Sequence, residues 1–206
     1  MTDHISNEIW ILRHGRTEWN HEGKLQGQGN SALLPESIPV IRRMAEILKA
    51  THFKNFYLSP LGRAVDTYKH LQPLSCDAVT EVDALKEISF GEYEGKQWSD
   101  VPEELLKRRA ADKWDTPWPG GESYREVLAR LGPFIKEIKG VRGVVAVLAH
   151  ETVNKIIIGE LAELPESTRI FLAHPNNVIY RIRDRQLSFR CVDQNWISEQ
   201  CIQKFA

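Results

Sequence analysis

Three short apolar runs frame this chain: Ile9-Trp10-Ile11-Leu12, Phe56-Tyr57-Leu58 and Val144 to Ala149. Their mixture of β-branched and aromatic side chains predicts buried strands. Between them, apolar positions recur at helical spacing. Ile41, Met44, Ala45 and Leu48 form one stripe, with Pro39 close to the helix start. Val127, Leu128, Leu131, Phe134, Ile135 and Ile138 form the clearest stripe, and Pro133 falls inside it, where it should kink the helix. A third helix follows His150, carries Ile156, Ile157 and Leu161, and stops before Pro165. Val178 to Ile182 and Leu187 to Cys191 alternate around Asp184-Arg185-Gln186 and predict a late hairpin. Strands alternating with helices imply an α/β fold: a three-layer sandwich with a mainly parallel central sheet flanked by helices.

The pattern breaks between Gly91 and Gly121. Trp98, Trp114 and Trp118 stand among Pro102, Pro117 and Pro119, with Lys107-Arg108-Arg109 between them. Such a segment between sheet elements predicts a small lid insertion at about 91–121, its tryptophans serving packing. The chain has 206 residues. With roughly 150 residues per domain as a guide, a single domain over 1–206 carrying that insertion is expected.

Composition removes several function classes. The chain carries 27 basic and 28 acidic residues, a formal net charge of -1, so no global field recruits nucleic acid or an anionic membrane. No apolar stretch approaches the ~20 residues needed to span a bilayer. Met1 to Glu8 is polar and lacks the apolar core of a secretory leader. The three cysteines, Cys76, Cys191 and Cys201, are odd in number and lack metal-ligand spacing, as expected in a reducing cytoplasm. A soluble cytoplasmic protein is the expectation.

The candidate chemistry sits where the strands end. Arg13-His14-Gly15 follows the first, Ser59-Pro60-Leu61-Gly62-Arg63 the second, and His150 the third. Open α/β sheets build their sites beyond the carboxyl ends of strands, so two arginines and two histidines are expected at one edge. Ser59 before Pro60 predicts a helix start with Ser59 as N-cap, which puts Arg63 in the first turn, where free N–H groups favour an anion. Arginine suits phosphate oxygens. A histidine between arginines stays neutral and nucleophilic. The reading is a phosphate pocket.

Arg13-His14-Gly15-Arg16-Thr17-Glu18-Trp19-Asn20 resembles the signature of the histidine phosphatase superfamily, the phosphoglycerate-mutase-like group. The resemblance continues through Leu25-Gln26-Gly27, Ser59 to Ala64, Glu87 to Gly95, Pro119 to Ser123 and His150, in the family's order. It implies that His14 becomes phosphorylated, that Arg13, Arg63 and His150 bind the phosphoryl group, that Asn20, Gln26 and Gly27 line the pocket, and that Glu87 donates the proton. The short chain and its Pro-Gly-Gly-Glu-Ser block are similar to the α-ribazole phosphatase and broad-specificity phosphoglycerate phosphatase groups. The implied activity is hydrolysis of a small phosphorylated metabolite, with no metal and no cofactor. Neither His-Glu-x-x-His nor a cysteine pair occurs, which weighs against a metal site.

Two departures stand out. Glu151 follows His150 where the phosphatase branch usually has Gly, which makes Glu151 a second candidate donor, although a supporting role in the helix is expected for it. Asn30 to Ser37 replaces the usual turn at the pocket entrance. Arg108 or Arg109 is a candidate grip on the substrate's far end, against a solvated helix face. Glu92 and Glu94 read as a solvated turn. His4, His21, His52, His70 and His174, in polar or amphipathic surroundings, are given no role. The rival readings are a phosphoglycerate-type mutase, which returns the phosphoryl group to bound product, and a non-catalytic phosphate-ligand-binding or regulatory protein.

Overall fold

The computed structural model describes residues 7–194 and the backbone of 197–198. His4, Cys201 and most of the polar stretch that begins at Met1 lie outside the described residues. The elements run β1 (Glu8–Arg13), α1 (Glu18–Glu22), α2 (Ser37–Leu48), β2 (Phe53–Leu58), α3 (Gly62–Leu71), β3 (Cys76–Glu81), α4 (Glu103–Ala111), α5 (Tyr124–Gly140), β4 (Val144–Ala149), α6 (Glu151–Leu161), α7 (Glu166–Arg169), β5 (Val178–Arg183), β6 (Gln186–Cys191) and β7 (Ile197–Ser198).

The strands form one sheet in the order β3-β2-β4-β1-β5-β6-β7. The first four are mutually parallel and the last three antiparallel, so the sheet is mixed with a parallel heart. Successive side chains of a strand point to opposite faces. Ile9 and Ile11 of β1 join Val145 and Val147 of β4 in packing against Val127, Leu131, Ile135, Val153 and Ile157 of α5 and α6. Trp10 and Leu12 face the other way, with Ala146 and Leu148, against Ile41, Met44 and Leu48 of α2 and Ala64 and Leu71 of α3. A sheet covered on both faces needs apolar residues at every position of its inner strands, and β1 and β4 supply them. Helix α5 is continuous through Pro133. No helix among the described residues is long and apolar enough to cross a membrane.

Two local expectations need correction, and one strand was not foreseen. Ser59 does not cap α3: that helix starts at Gly62 behind Leu61, without a side-chain cap. Its Arg63 N–H is instead taken by Asn30 Oδ1 at 3.0 Å, from the loop that departs from the usual entrance turn. Gln186 belongs to β6, and the hairpin turns on Asp184 and Arg185 alone, both with positive φ (50° and 65°), as a two-residue primed turn demands. Strand β3 has no counterpart in the sequence reading, because an exposed edge strand with residues such as Asp77, Thr80 and Glu81 shows no apolar alternation.

The segment from Gly91 to Gly121 is closed at its base. Glu92 N–H donates to Pro119 O (3.0 Å), and Glu122 N–H donates to Ser89 O (3.0 Å). Trp114 and Trp118 are buried, as packing requires, whereas Trp98 is 51% exposed. Glu94 is no solvated turn residue: its Oε1 accepts from Gln28 N, Phe90 N and Ser89 Oγ and ties two loops together.

Candidate active site

The adjacent strands β2, β4 and β1 all end at one edge, and there the chain changes from apolar to reactive. His14 N–H still donates to Ala149 O (3.1 Å) and Ser59 N–H to Leu148 O (3.0 Å), so the loops leave the sheet in register. Arg63, from the first turn of α3, lies between them and is 1% exposed. Its Nε–H is shared between His14 Nε2 (3.2 Å) and His150 Nδ1 (3.1 Å). Its Nη1 and Nη2 donate to Gly29 O (2.6 Å) and Gly27 O (2.7 Å). Gly27 presents that carbonyl from φ 52°, a conformation for which glycine is suited.

These bonds settle where the histidine protons are. A guanidinium N–H can only donate, so the two ring nitrogens facing it must carry lone pairs. His14 Nδ1 faces Gly15 O at 2.7 Å and must donate to it. His150 Nε2 then donates to Ser59 Oγ at 2.7 Å, an oxygen that also accepts from Leu61 N–H at 3.3 Å. Both imidazoles are neutral, with the His14 lone pair on Nε2. Burial pushes the His14 pKa well below 6.5, and Arg63 and Arg13 push it further, against the Gly15 carbonyl. His150 is lowered by burial, then by Arg63, His14 and Arg13. Burial also brings Arg63 down to about 10, with Glu87 opposing.

A cavity of about 480 Å³ opens beside this cluster, walled by Arg13, His14, Asn20, Gln26, Gly27, Arg63, Glu87, Arg109 and Glu151 among others. His150 does not line it and lies fully buried behind Arg63. Asn20 Oδ1 accepts from Thr17 N and closes the capping box of α1. Gln26 is held between Thr17 Oγ1 and Ser31 Oγ. Glu87 is buried, and its carboxylate accepts from Ile88 N (2.9 Å), Thr152 N (3.2 Å) and Val153 N (3.3 Å), the last two at the start of α6. Arg130 anchors the Glu87 carbonyl at 3.1 Å and pairs with Glu122 at 2.7 Å.

Glu151 lines the cavity and pairs with Arg13 (2.8 Å) and Lys155 (2.8 Å). Burial raises its pKa, but Arg13 and Lys155 outweigh burial and hold it below the ordinary value. Of the two lid arginines, Arg108 is exposed and off the cavity. Arg109 is 5% exposed, lies over the Trp118 ring and donates to Thr116 O, so the solvated-face reading fails for it. Sequence reasoning missed Lys113 and Lys155, both on the cavity wall. It also misjudged His174. That ring is buried between Asn154 Nδ2 and Val178 O, and its carbonyl accepts from Arg13 Nη1 at 2.9 Å. Burial and Arg13 lower its pKa to about 3. Among the described residues, no group of three or more His, Cys, Asp or Glu side chains could hold a metal ion.

The family model described as the histidine phosphatase superfamily (branch 1) matches residues 9–197. The chain belongs to that superfamily. Among this histidine phosphatase chain's relatives, a metal-independent phosphoserine phosphatase of Arabidopsis thaliana is 30% identical over 203 residues, covering 92% of this chain and 79% of the relative. A 6-phosphofructo-2-kinase/fructose-2,6-bisphosphatase of Caenorhabditis elegans is 28% identical over 187 residues, 88% of this chain. The chain spans only 40% of that relative's length. The α-ribazole phosphatase of Shigella flexneri superposes with a TM-score of 0.78 at 20% identity, covering 91% of this chain and 96% of that one, which shows a shared fold.

The depressed histidines make stability depend on pH. Unfolded imidazoles titrate near 6.5, while His14, His150 and His174 resist protonation in the folded chain. Below that value the unfolded state binds more protons, so stability falls as pH drops, and above it these groups contribute no slope. Urea midpoints should decrease from pH 7 to pH 5, with the unfolding free energy falling by up to roughly 1.4 kcal/mol per pH unit for each histidine. A flat profile would show that the three rings titrate in the folded chain as they do in the unfolded one.

Proposed function

We propose that the chain is a phosphomonoesterase working by two in-line displacements at phosphorus, with His14 as nucleophile. The observation that carries this reading is the neutral His14 imidazole with its Nε2 lone pair beside Arg63, at the wall of a strongly cationic cavity. Arg13, Lys24, Arg63, Arg109, Lys113 and Lys155 face only Glu87 and Glu151 among the charged groups lining that cavity, in a chain of net charge -1. The cations select an anionic substrate.

In the first step His14 Nε2 attacks phosphorus and the bond to the leaving oxygen breaks, Glu87 supplying the proton that oxygen needs. Arg13 and Arg63 stabilise the charge on the equatorial oxygens, which is the larger part of catalysis in phosphoryl transfer. His150 keeps Arg63 oriented and polarised. In the second step Glu87, now a carboxylate, takes a proton from water as the water attacks phosphohistidine and releases His14. The arginines do the work a metal ion would otherwise do, so the scheme needs none.

The substrate is a small metabolite with a second anionic group. Arg109, Lys113 and Lys155 line the cavity besides the two arginines assigned to the phosphate, and relatives of the chain are named for phosphoserine and fructose 2,6-bisphosphate, both multiply charged. The same cationic grip favours the mutase reading too, since a mutase must hold its product.

Quenching during turnover in excess chelator should trap a phosphoryl group on the protein that is acid-labile and base-stable, and His14→Ala should lose both label and turnover. Time courses on 3-phosphoglycerate should release phosphate ahead of 2-phosphoglycerate. An acid-stable label, or a requirement for added metal, rejects the mechanism, and isomer ahead of phosphate makes the chain a mutase. Glu87→Gln should slow alkyl phosphates by roughly 10²–10⁴-fold and nitrophenyl phosphate far less, since nitrophenolate leaves without a proton. Leaving-group dependence in Glu151→Gln instead would move the donor to Glu151.

A further inference from the structure

The Arg13–Glu151–Lys155 bridge does more than hold a helix start. Glu151 Oε2 meets Arg13 Nη1 and Oε1 meets Lys155 Nζ, both at 2.8 Å, so one carboxylate engages two cations of the cavity wall together. Both cationic side chains are well buried, while Glu151 is 36% exposed toward the cavity it lines. Lys113 and Arg109, from the lid segment that also lines the cavity, have no ion pair among the described residues. Lys113 is lowered by burial and then by Lys155 and Arg109, with Glu151 opposing, which sets these four groups within electrostatic reach of one another.

A ligand group entering among them meets three cations and one fixed carboxylate. Its attraction scales with its own charge times the net charge it meets, while its dehydration cost rises more steeply with charge. Removing one unit of positive field therefore penalises a phosphate dianion about twice as much as a carboxylate.

We propose that Glu151 is a specificity-determining residue that sets the charge of the substrate's second group, biasing the site toward a phosphorylated carboxylic acid and against a bisphosphate. This rests on the phosphomonoesterase reading above and narrows its substrate class. Glu151 touches Arg13 as well as Lys155, so replacing it disturbs every substrate in common. The ratio between two substrates in one variant removes that shared effect.

The experiment compares kcat/KM for 3-phosphoglycerate and fructose 2,6-bisphosphate in the native chain, in Glu151→Gln, in Glu151→Asp and in Glu151→Gln with Lys155→Gln. The native chain should favour the phospho-acid. Solvent screening limits the shift, and the bisphosphate-to-phospho-acid ratio should rise roughly three- to tenfold in Glu151→Gln. It should stay near native in Glu151→Asp and fall back when Lys155 is also neutralised. An unchanged ratio in Glu151→Gln, or a native chain that already prefers the bisphosphate, overturns the proposal. Calorimetric affinities for both ligands in His14→Ala, with and without Glu151→Gln, read the same ratio without turnover. Absence of turnover with a normal affinity shift thus rejects the catalytic reading alone, and turnover without the shift rejects the role of Glu151 alone.

Discussion

One guanidinium, buried between two imidazoles, is the constraint on which the site depends. Burying a charge costs several kcal/mol unless its donors are matched. Arg63 commits three of its five N–H donors to two loop carbonyls and two histidine lone pairs. Each partner imposes something further. The carbonyls of Gly27 and Gly29 must point inward, which fixes the entrance loop, and Asn30 of that loop caps the Arg63 N–H in return. Thr67, one turn along α3, accepts from Gly15 N–H and donates to Arg63 O, locking the helix to the end of β1. Both histidines are left neutral, with their lone pairs turned to the cation.

Around that centre the fold arranges carboxylates by competing demands. Glu87 is fixed by backbone donors of α6 and from behind by Arg130, whose other arm goes to Glu122. Glu151 is fixed by two cations instead. Two acids thus line one cavity in different states of engagement: one accepts only from neutral N–H groups, the other is committed to ion pairs. That difference is the ground on which we propose proton transfer for Glu87 and charge balance for Glu151.

The parts legible in the sequence were those fixed by one strand at a time. The cores of β1, β2 and β4 are covered on both faces and therefore show as unbroken apolar runs, and chemistry begins at the residue where each run stops. The resemblance to a family supplied Glu87, which no periodicity marks. What stayed hidden depends on partners distant in sequence. Ser59 carries a cap signature, and its hydroxyl meets Leu61 N–H but also His150, brought alongside by the pairing of β2 with β4. His174 sits in a proline-flanked loop that reads as surface, and only the packing of β5 beside β1 buries it under Arg13. Arg109 shares a basic run with Lys107 and Arg108, and the aromatic floor of Trp118, nine residues on, singles it out. Lys113 and Lys155 are ordinary surface residues by spacing, and they acquire meaning once the lid and α6 share a cavity wall.

The central claim is that burial and Arg63 together keep His14 neutral with its lone pair on Nε2, and nitrogen-15 NMR of the histidine rings tests it most directly. At pH 6, where an unperturbed imidazole is mostly protonated, His14 should show a protonated Nδ1 and an unprotonated Nε2, and Arg63→Ala should move its titration upward toward the ordinary value. An imidazolium signal from His14 at that pH in the native chain, or the opposite tautomer, would contradict the account.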